Sequence, residues 1–207
     1  ITTPVNVLSK GLYPSVLLTE KLENNSRLQF SYANRVLRPT GRQINSTTDF
    51  SDPENYYKGN PGLIPENIYN LELDYSKTWQ NISLTSGIYH NRVNNVLQNI
   101  QTEPVNDEAT TTPENLGRES TAGLELIGRF DVVKGWDLTA NANIFDRHND
   151  AVPQFGIAAD NGLSWNANVT SNVTLLERLS FQIHADYRAP YLNVQDKNRA
   201  VFGLDAA

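Results

Sequence analysis

The chain has 207 residues and a formal charge of -6, with acids and bases interspersed, so it lacks the basic stripe that neutralises phosphates and nucleic acid is not expected as a partner. Cysteine is absent, which excludes a disulfide framework and thiolate metal sites. Hydrophobic residues make up 39%, as in a folded protein, yet no run of roughly 18 apolar residues exists to form a transmembrane helix.

The chain opens on Ile1, with no signal peptide or initiating methionine, and is expected to be an excerpt of a longer protein. A weak period-two pattern runs through Tyr13–Leu22, followed by the short polar turn "LENNS". Leu28, Phe30 and Tyr32 then alternate with Arg27, Gln29 and Ser31. Successive side chains of a strand point to opposite faces, so this segment reads as a strand with one apolar and one polar side. A connection of roughly 30 residues follows, far longer than a hairpin takes. Within it lies "PENYYKGNPGLIPEN", Pro53 to Asn67. Gly59 and Gly62 are suited to positive φ, while Pro61 and Pro65 fix φ and donate no hydrogen bond. "GNPG" is therefore expected to be a turn and "LIPEN" an extended lead-in to a strand.

Tyr69, Leu71, Leu73 and Tyr75 next alternate with Asn70, Glu72, Asp74 and Ser76, and "KTWQ" makes a tight turn. A weaker strand at Ile82–His90 leads into a second long connection, about Arg92 to Arg118. Ala122, Leu124, Leu126 and Phe130 share one face, opposed by Glu125 and Arg129, before the short "DVVKG". Trp136, Leu138, Ala140, Ala142 and Ile144 alternate with Asp137, Thr139, Asn141 and Asn143. The medium loop "RHNDAVPQFGIAADN" precedes Leu163, Trp165, Ala167 and Val169, which alternate with Ser164, Asn166, Asn168 and Thr170. After "SNVTLLER", Leu179, Phe181, Ile183, Ala185 and Tyr187 alternate with Ser180, Gln182, His184 and Asp186. A loop from Ala189 to Asn198 and a weak strand at Arg199–Ala206 finish the chain. The expectation is an all-β, antiparallel up-and-down meander of about nine strands, with no helical periodicity.

Long and short connections alternate. In an antiparallel meander every second connection falls on the same edge, so the long loops gather at one end and the tight turns at the other. With strands of about ten residues, that asymmetry is the pattern of part of a transmembrane β-barrel, whose apolar side meets lipid and whose polar side faces the lumen. Aromatics fall at two levels: Tyr75, Trp79, Phe130 and Trp136 near the tight turns, and Tyr32, Tyr69 and Tyr187 near the long loops. The rival is a soluble β-sandwich, a carbohydrate- or ligand-binding module that would bury its apolar face in a shared core. It would gather aromatics on one exposed face, and the two-level spread counts against it.

Catalysis, cofactors and metals are not expected. The histidines are His90, His148 and His184, none in a metal-binding spacing. No Gly-x-Ser-x-Gly elbow is present. His184 shares the polar face with Gln182 and Asp186 and reads as a solvated lumen histidine rather than a ligand; a barrel-borne hydrolase built on the pair is a distant third reading. Asp49, Asp52 and Glu54 are oxygen donors suited to calcium, but without the glycine and spacing of a calcium loop they read as solvated acids. Asn141, Asn143, Asn166 and Asn168 form a polar ladder whose ordinary role is to fill a hydrated interior.

The stretch "LQFSYANRVLRPTGRQINSTTDFSDPENYYKGNPGLIPENIYNLELDYSK" resembles the barrel domain of TonB-dependent outer-membrane receptors of the Bacteroidetes type. The matching pieces are Tyr32, Arg35, Arg38 and Pro39; then Asp52, Pro53 and Tyr56; then Gly59, Asn60, Pro61, Leu63, Pro65 and Glu66. The match continues in "YHNRVNNVLQNI", "ENLGRESTAGLELIGRF" and "DYRAPYLNVQ", so it covers nearly the whole chain. After Pro39 the sequence departs from the family by lacking its aromatic and Leu-Asn-Pro elements.

The resemblance implies that residues 1–207 form a single fragment of a barrel of about 22 strands, with the plug domain and the final strands outside it. It implies a receptor in the outer membrane of a Gram-negative bacterium, bathed in outer-membrane lipid and driven by a periplasmic energy-coupling protein acting on the plug. The cargo it implies is an unidentified small solute, glycan or peptide. It also places "PENYYKGNPGLIPEN" on the outer side, with Tyr56 and Tyr57 as candidate ligand-contacting residues. Ordering of the outer loop is the role favoured for that stretch.

Overall fold

The computed structural model describes residues 11–52, 54–101, 108–175, 179–192 and 197–207. Pro53 of the family motif, residues 102–107 of the second long connection, residues 176–178 of "SNVTLLER" and residues 193–196 of the last loop lie outside the described residues.

In chain order the elements are β1 (Ser15–Leu22), β2 (Ser26–Leu37), the one-turn helix α1 (Gly41–Ile44), β3 (Thr48–Asp49), β4 (Asn55–Lys58), β5 (Glu66–Thr78), β6 (Ile82–Gln101), β7 (Ala109–Val133) and β8 (Trp136–Asn149). A 3-10 turn at Pro153–Phe155 precedes β9 (Asp160–Leu175), β10 (Leu179–Arg188), β11 (Tyr191–Leu192), β12 (Lys197–Asn198) and β13 (Val201–Ala206). Nine of these strands form one antiparallel meander in the order β1-β2-β5-β6-β7-β8-β9-β10-β13. The expected nine-stranded up-and-down sheet is what the chain forms. The sheet is open: among the described residues β1 pairs only with β2, and β13 only with β10.

Local chemistry sets the tight turns. Asn24 and Asn25, with φ of 56° and 55°, make the two left-handed residues that a two-residue hairpin turn needs, and asparagine tolerates that region. Gly135 turns β7 into β8 at φ 85°, and a Cβ there would meet the Thr174 carbonyl at 2.7 Å. Here glycine is required twice over, by backbone conformation and by space.

The sheet is inside-out relative to a water-soluble fold. Ile88, Ile144 and Phe181 are 56%, 49% and 52% exposed, and each lies on the apolar face of its strand. No second sheet covers that face among the described residues, so the sandwich reading has nothing to build its core from. The polar face lines the concave side, and several of its groups pair across strands. Asn70 donates to Asn91 Oδ1 at 2.7 Å, the Tyr89 hydroxyl to Asn143 at 3.1 Å, and Asn141 to Asn168 at 2.8 Å. Tyr89 fits because Gly123 lies opposite it: a Cβ there would approach the phenol oxygen to 2.6 Å.

Three expectations need correction. The segment Arg92 to Arg118, read as a loop, is largely ladder: β6 and β7 stay paired from Ile82–Phe130 out to Gln101–Thr111. The alternation disappears there because the strands leave the membrane, whereas backbone hydrogen bonding continues regardless of side-chain polarity. Gly59 and Gly62 do not have positive φ; among the described glycines Gly135 and Gly156 do. Finally, α1 is a helix where none was expected. One turn is too short to show a period, and Thr40 and Gln43 close it as a reciprocal capping box.

The buried hydrophobic core lies outside the membrane-spanning band. Ile100 and Leu116, from the outer ends of β6 and β7, pack with Val152 and Ile157 of the β8–β9 loop, and Val96 and Phe155 flank them. Pro113 is the large side chain most completely enclosed. The long connections thus fold into a small packed body of their own at one end of the sheet.

Candidate functional site

The family-like stretch is clasped by the extended hairpin. At its centre Asn60 makes the turn, its Oδ1 accepting from the Gly62 amide at 2.8 Å and its carbonyl from Leu63 at 3.3 Å. Its side-chain amide reaches across to donate to Glu114 of β7 at 2.9 Å. Next to Glu114, the Asn115 side chain brackets Ile64, accepting from its amide at 2.8 Å and donating to its carbonyl at 2.9 Å. An asparagine amide is both donor and acceptor, so one side chain mimics a strand partner here. Leu63 between these contacts is 5% exposed. Glu66, 8% exposed, takes a hydrogen bond from the Leu97 amide of β6.

The clasp depends on a defect in β6. Asn95 has φ 58°, and the register skips it: Asn94 faces Arg118 and Val96 faces Leu116. Freed from the ladder, its side chain donates to the Pro65 carbonyl at 3.4 Å, and its own carbonyl accepts from Asn115 at 2.9 Å. On the other side, Gly59 presses against α1. A Cβ there would meet the Asn45 carbonyl oxygen in a hard clash and the Arg42 carbonyl oxygen at 2.6 Å. Glycine at this position serves close backbone approach rather than an unusual φ.

Tyr56 and Tyr57 sit on β4, which pairs antiparallel with β3 and runs parallel to the start of β7. Tyr56 stands edge-on to Phe50, ring centroids 4.9 Å apart, and its hydroxyl bonds to Glu108. That bond, reinforced by partial burial and the Glu108 charge, raises the phenol above its ordinary pKa of 10.0. Tyr57 lies under the Arg42 guanidinium, 4.4 Å from its ring centre, and Arg42 in turn approaches Asp49 at 3.7 Å. Both rings are thus held by neighbours within the loop body.

The acids weighed for calcium act as turn acceptors. Asp49 takes the Ser51 hydroxyl at 2.7 Å and the Ser51 amide at 3.1 Å, and these bonds lower its pKa, with a smaller contribution from Arg42. Asp52 accepts from the Glu54 amide at 3.0 Å, and from the Asn55 side chain and amide, and is lowered too. Glu54 contributes its backbone carbonyl to Ala109 of β7 at 2.9 Å. Among the described residues no three histidine, aspartate or glutamate side chains converge as a metal site.

Inward of this body, the concave face holds an open cavity of about 830 Å³ between Arg35, Glu72, Tyr89, Glu119, Asn143 and Arg147. Its wall mixes both charges with amide donors and acceptors. It offers hydrogen bonds to a polar solute but no nucleophile poised against a base. His184 is held by the Thr170 hydroxyl at 2.8 Å, and Asp186 approaches Arg188 at 4.0 Å, so the pair weighed for hydrolysis is engaged elsewhere. Of the asparagine ladder, Asn141 and Asn168 bond to each other and Asn143 serves Tyr89.

Sequence reasoning located Tyr56, Tyr57 and the motif but missed the residues that grip them: Glu114, Asn115, Asn95, Arg42 and Glu108. Their signal is faint. Asn115 and Glu114 lie in a mostly polar stretch whose large apolar residue is Leu116, so no periodicity distinguishes a strand from a loop.

An inside-out antiparallel sheet with packed loops at one end defines the class as an outer-membrane β-barrel. Residues 7–207 match the outer membrane protein beta-barrel family, and the chain belongs to it. Its place is therefore the Gram-negative outer membrane. Among solved structures, the chain is similar to the siderophore receptor PirA from Pseudomonas aeruginosa (TM-score 0.68, 17% identity, 94% of this chain and 35% of that one). It is also similar to the ferric enterobactin receptor PfeA from Pseudomonas aeruginosa (TM-score 0.63, 16% identity, 94% and 32%) and to the copper transporter OprC (TM-score 0.67, 14% identity, 94% and 30%). At these identities the likeness is one of fold, and the chain spans about a third of each receptor's length. No curated protein sequence matches.

Proposed function

We propose that the chain is one stretch of barrel wall, with its outer loops, of a TonB-dependent active transporter that takes up a nutrient ligand. The observation that carries this reading is the polar cavity on the lumen face, set directly below a preformed loop body. A ligand captured outside would pass along hydrogen-bonding groups that need no rearrangement to receive it. Similar folds in receptors for siderophores and ferric enterobactin, and in a copper transporter, support an uptake role. The chemistry of this wall does not single out one cargo. The barrel provides no reaction, and the periplasmic energy-coupling protein would act through a plug domain.

The test is uptake by cells carrying the full-length protein, measured with and without a functional energy-coupling protein. Accumulation of the growth-limiting nutrient that depends on both supports the reading. Accumulation that persists without the coupling protein makes the barrel a passive pore instead.

Tyr56 and Tyr57 order the outer loop in this reading. Replacing both by phenylalanine keeps their ring contacts and should leave uptake largely intact. Loss of uptake from a correctly assembled barrel would make them ligand contacts.

A further inference from the structure

On the exterior face the boundary between apolar band and polar rim is sharp and falls within β6. Ile82, Leu84 and Ile88 are exposed to lipid, and the next two exterior positions are His90 and Arg92. The register aligns His90 with Leu71 and Arg92 with Tyr69 on β5, and Leu71 in turn with Tyr32 on β2. These side chains surround a cleft of about 360 Å³ on the outside of the sheet, at its long-loop end.

The charges in this cleft are unbalanced. Arg92 donates its Nε–H to Asn94 at 3.0 Å, which ties the guanidinium to its own strand through one of its five N–H groups. No carboxylate among the described residues pairs with it. The exterior carboxylate two strands away, Asp146, is bound to His148 at 3.4 Å. Below the basic pair, Leu71, Leu73 and Ile88 offer a bare apolar floor. Tyr32 and Tyr69 flank it at the level where amphipathic rings meet headgroups.

A cation above an apolar strip at an interface selects an anionic headgroup with acyl chains. Long loops of such barrels face the exterior, which places this cleft in the outer leaflet. We propose that it seats one molecule of the phosphorylated glycolipid of that leaflet, with a phosphate on Arg92 and His90 and an acyl chain along Leu71 and Ile88. This goes beyond the uptake reading and does not depend on the cargo.

The experiment is lipid binding to the full-length protein, purified and delipidated in neutral detergent, followed by native mass spectrometry. The probes are lipid A, phosphatase-treated lipid A and phosphatidylglycerol. The wild-type protein should retain lipid A about tenfold more tightly than the phosphatase-treated form, the effect of a little over 1 kcal/mol from a basic residue at such a surface. The His90→Gln, Arg92→Gln double variant should lose that preference, and Arg92→Lys should keep most of it. Equal wild-type binding of lipid A and its dephosphorylated form overturns the proposal and needs no variant. So does a phosphatidylglycerol preference as large as that for lipid A, which would mark a generic anionic contact.

Discussion

The carboxylate of Glu66, at the foot of β5, is buried and accepts a hydrogen bond from the backbone amide of the half-buried Leu97 in β6. The bond lies two residues past Asn95, where the β6–β7 ladder skips the Asn95–Gly117 pair without a change of register, so Glu66 pairs an amide near the point where the ladder is interrupted. Glu66→Ala should leave that amide unpaired, at a cost of about 1–3 kcal/mol to the loop body. Amide hydrogen exchange at Leu97 should accelerate by about tenfold or more, with the spanning strands unaffected. Glu66→Gln retains an acceptor oxygen and should show a much smaller change.

Gly59 should resist substitution for a reason separate from φ. A methyl group there meets two carbonyl oxygens of the α1 turn, and backbone must move to admit it. Gly59→Ala is expected to destabilise the outer loops by about 1–3 kcal/mol, as overpacking does. Limited proteolysis of the full-length protein should show new cleavage around α1 and β4. Gly41→Ala is the control, since a Cβ at that position meets nothing within 4 Å.

Alternation within the membrane band was legible because lipid on one side and a wet lumen on the other impose period two on every spanning strand. It gave the nine-stranded meander and the exterior placement of Leu71, Ile144 and Phe181. Above the membrane no continuous lipid face imposes alternation, so the strand ends carrying Gln98, Glu114 and Asn115 look like loop. Proline and glycine marked a turn at "GNPG", and the turn forms one residue further on, at Asn60–Leu63, yet Gly59 owes its identity to neighbours 14 to 17 residues earlier in the chain, which no local rule reveals. Contacts such as Asn60–Glu114 are set by tertiary register and are not written in either segment alone.

Loop order should depend on pH. Asp49 and Asp52 both have lowered pKa values in the folded loop, chiefly from the Ser51 hydroxyl and the Glu54 amide respectively. A depressed carboxylate stabilises the fold above its unfolded pKa, ordinarily 3.8, and that contribution is lost as pH falls through the lower folded value. Tyr56 is raised, mainly by its bond to Glu108, so its contribution is present below 10.0 and is lost as pH rises through the higher folded value. Protease resistance of the outer loops should therefore hold through the neutral range and weaken at both extremes. In Asp49→Asn, Asp52→Asn the acid limb should flatten while the alkaline limb stays.

Charge on the exterior face should be penalised by depth. Leu126 of β7 lies in the middle of the apolar band, opposite Ser86 of β6, and arginine in its place should cost about 2–4 kcal/mol. Asn143→Arg, on the lumen face, should cost far less because the cavity beside it is open and polar. Heat-modifiable migration of the full-length variants gives the comparison.

The most direct test of the inside-out sheet is an accessibility scan along β6. Single spin labels at residues 82 to 89 of the full-length protein in bilayers are exposed to oxygen, which concentrates in lipid, and to a water-soluble nickel chelate. Oxygen should dominate at Ile82, Leu84 and Ile88, and nickel at Ser83, Thr85 and Tyr89, in strict alternation. Nickel access at every position, or oxygen dominance on the Tyr89 face, would contradict the account.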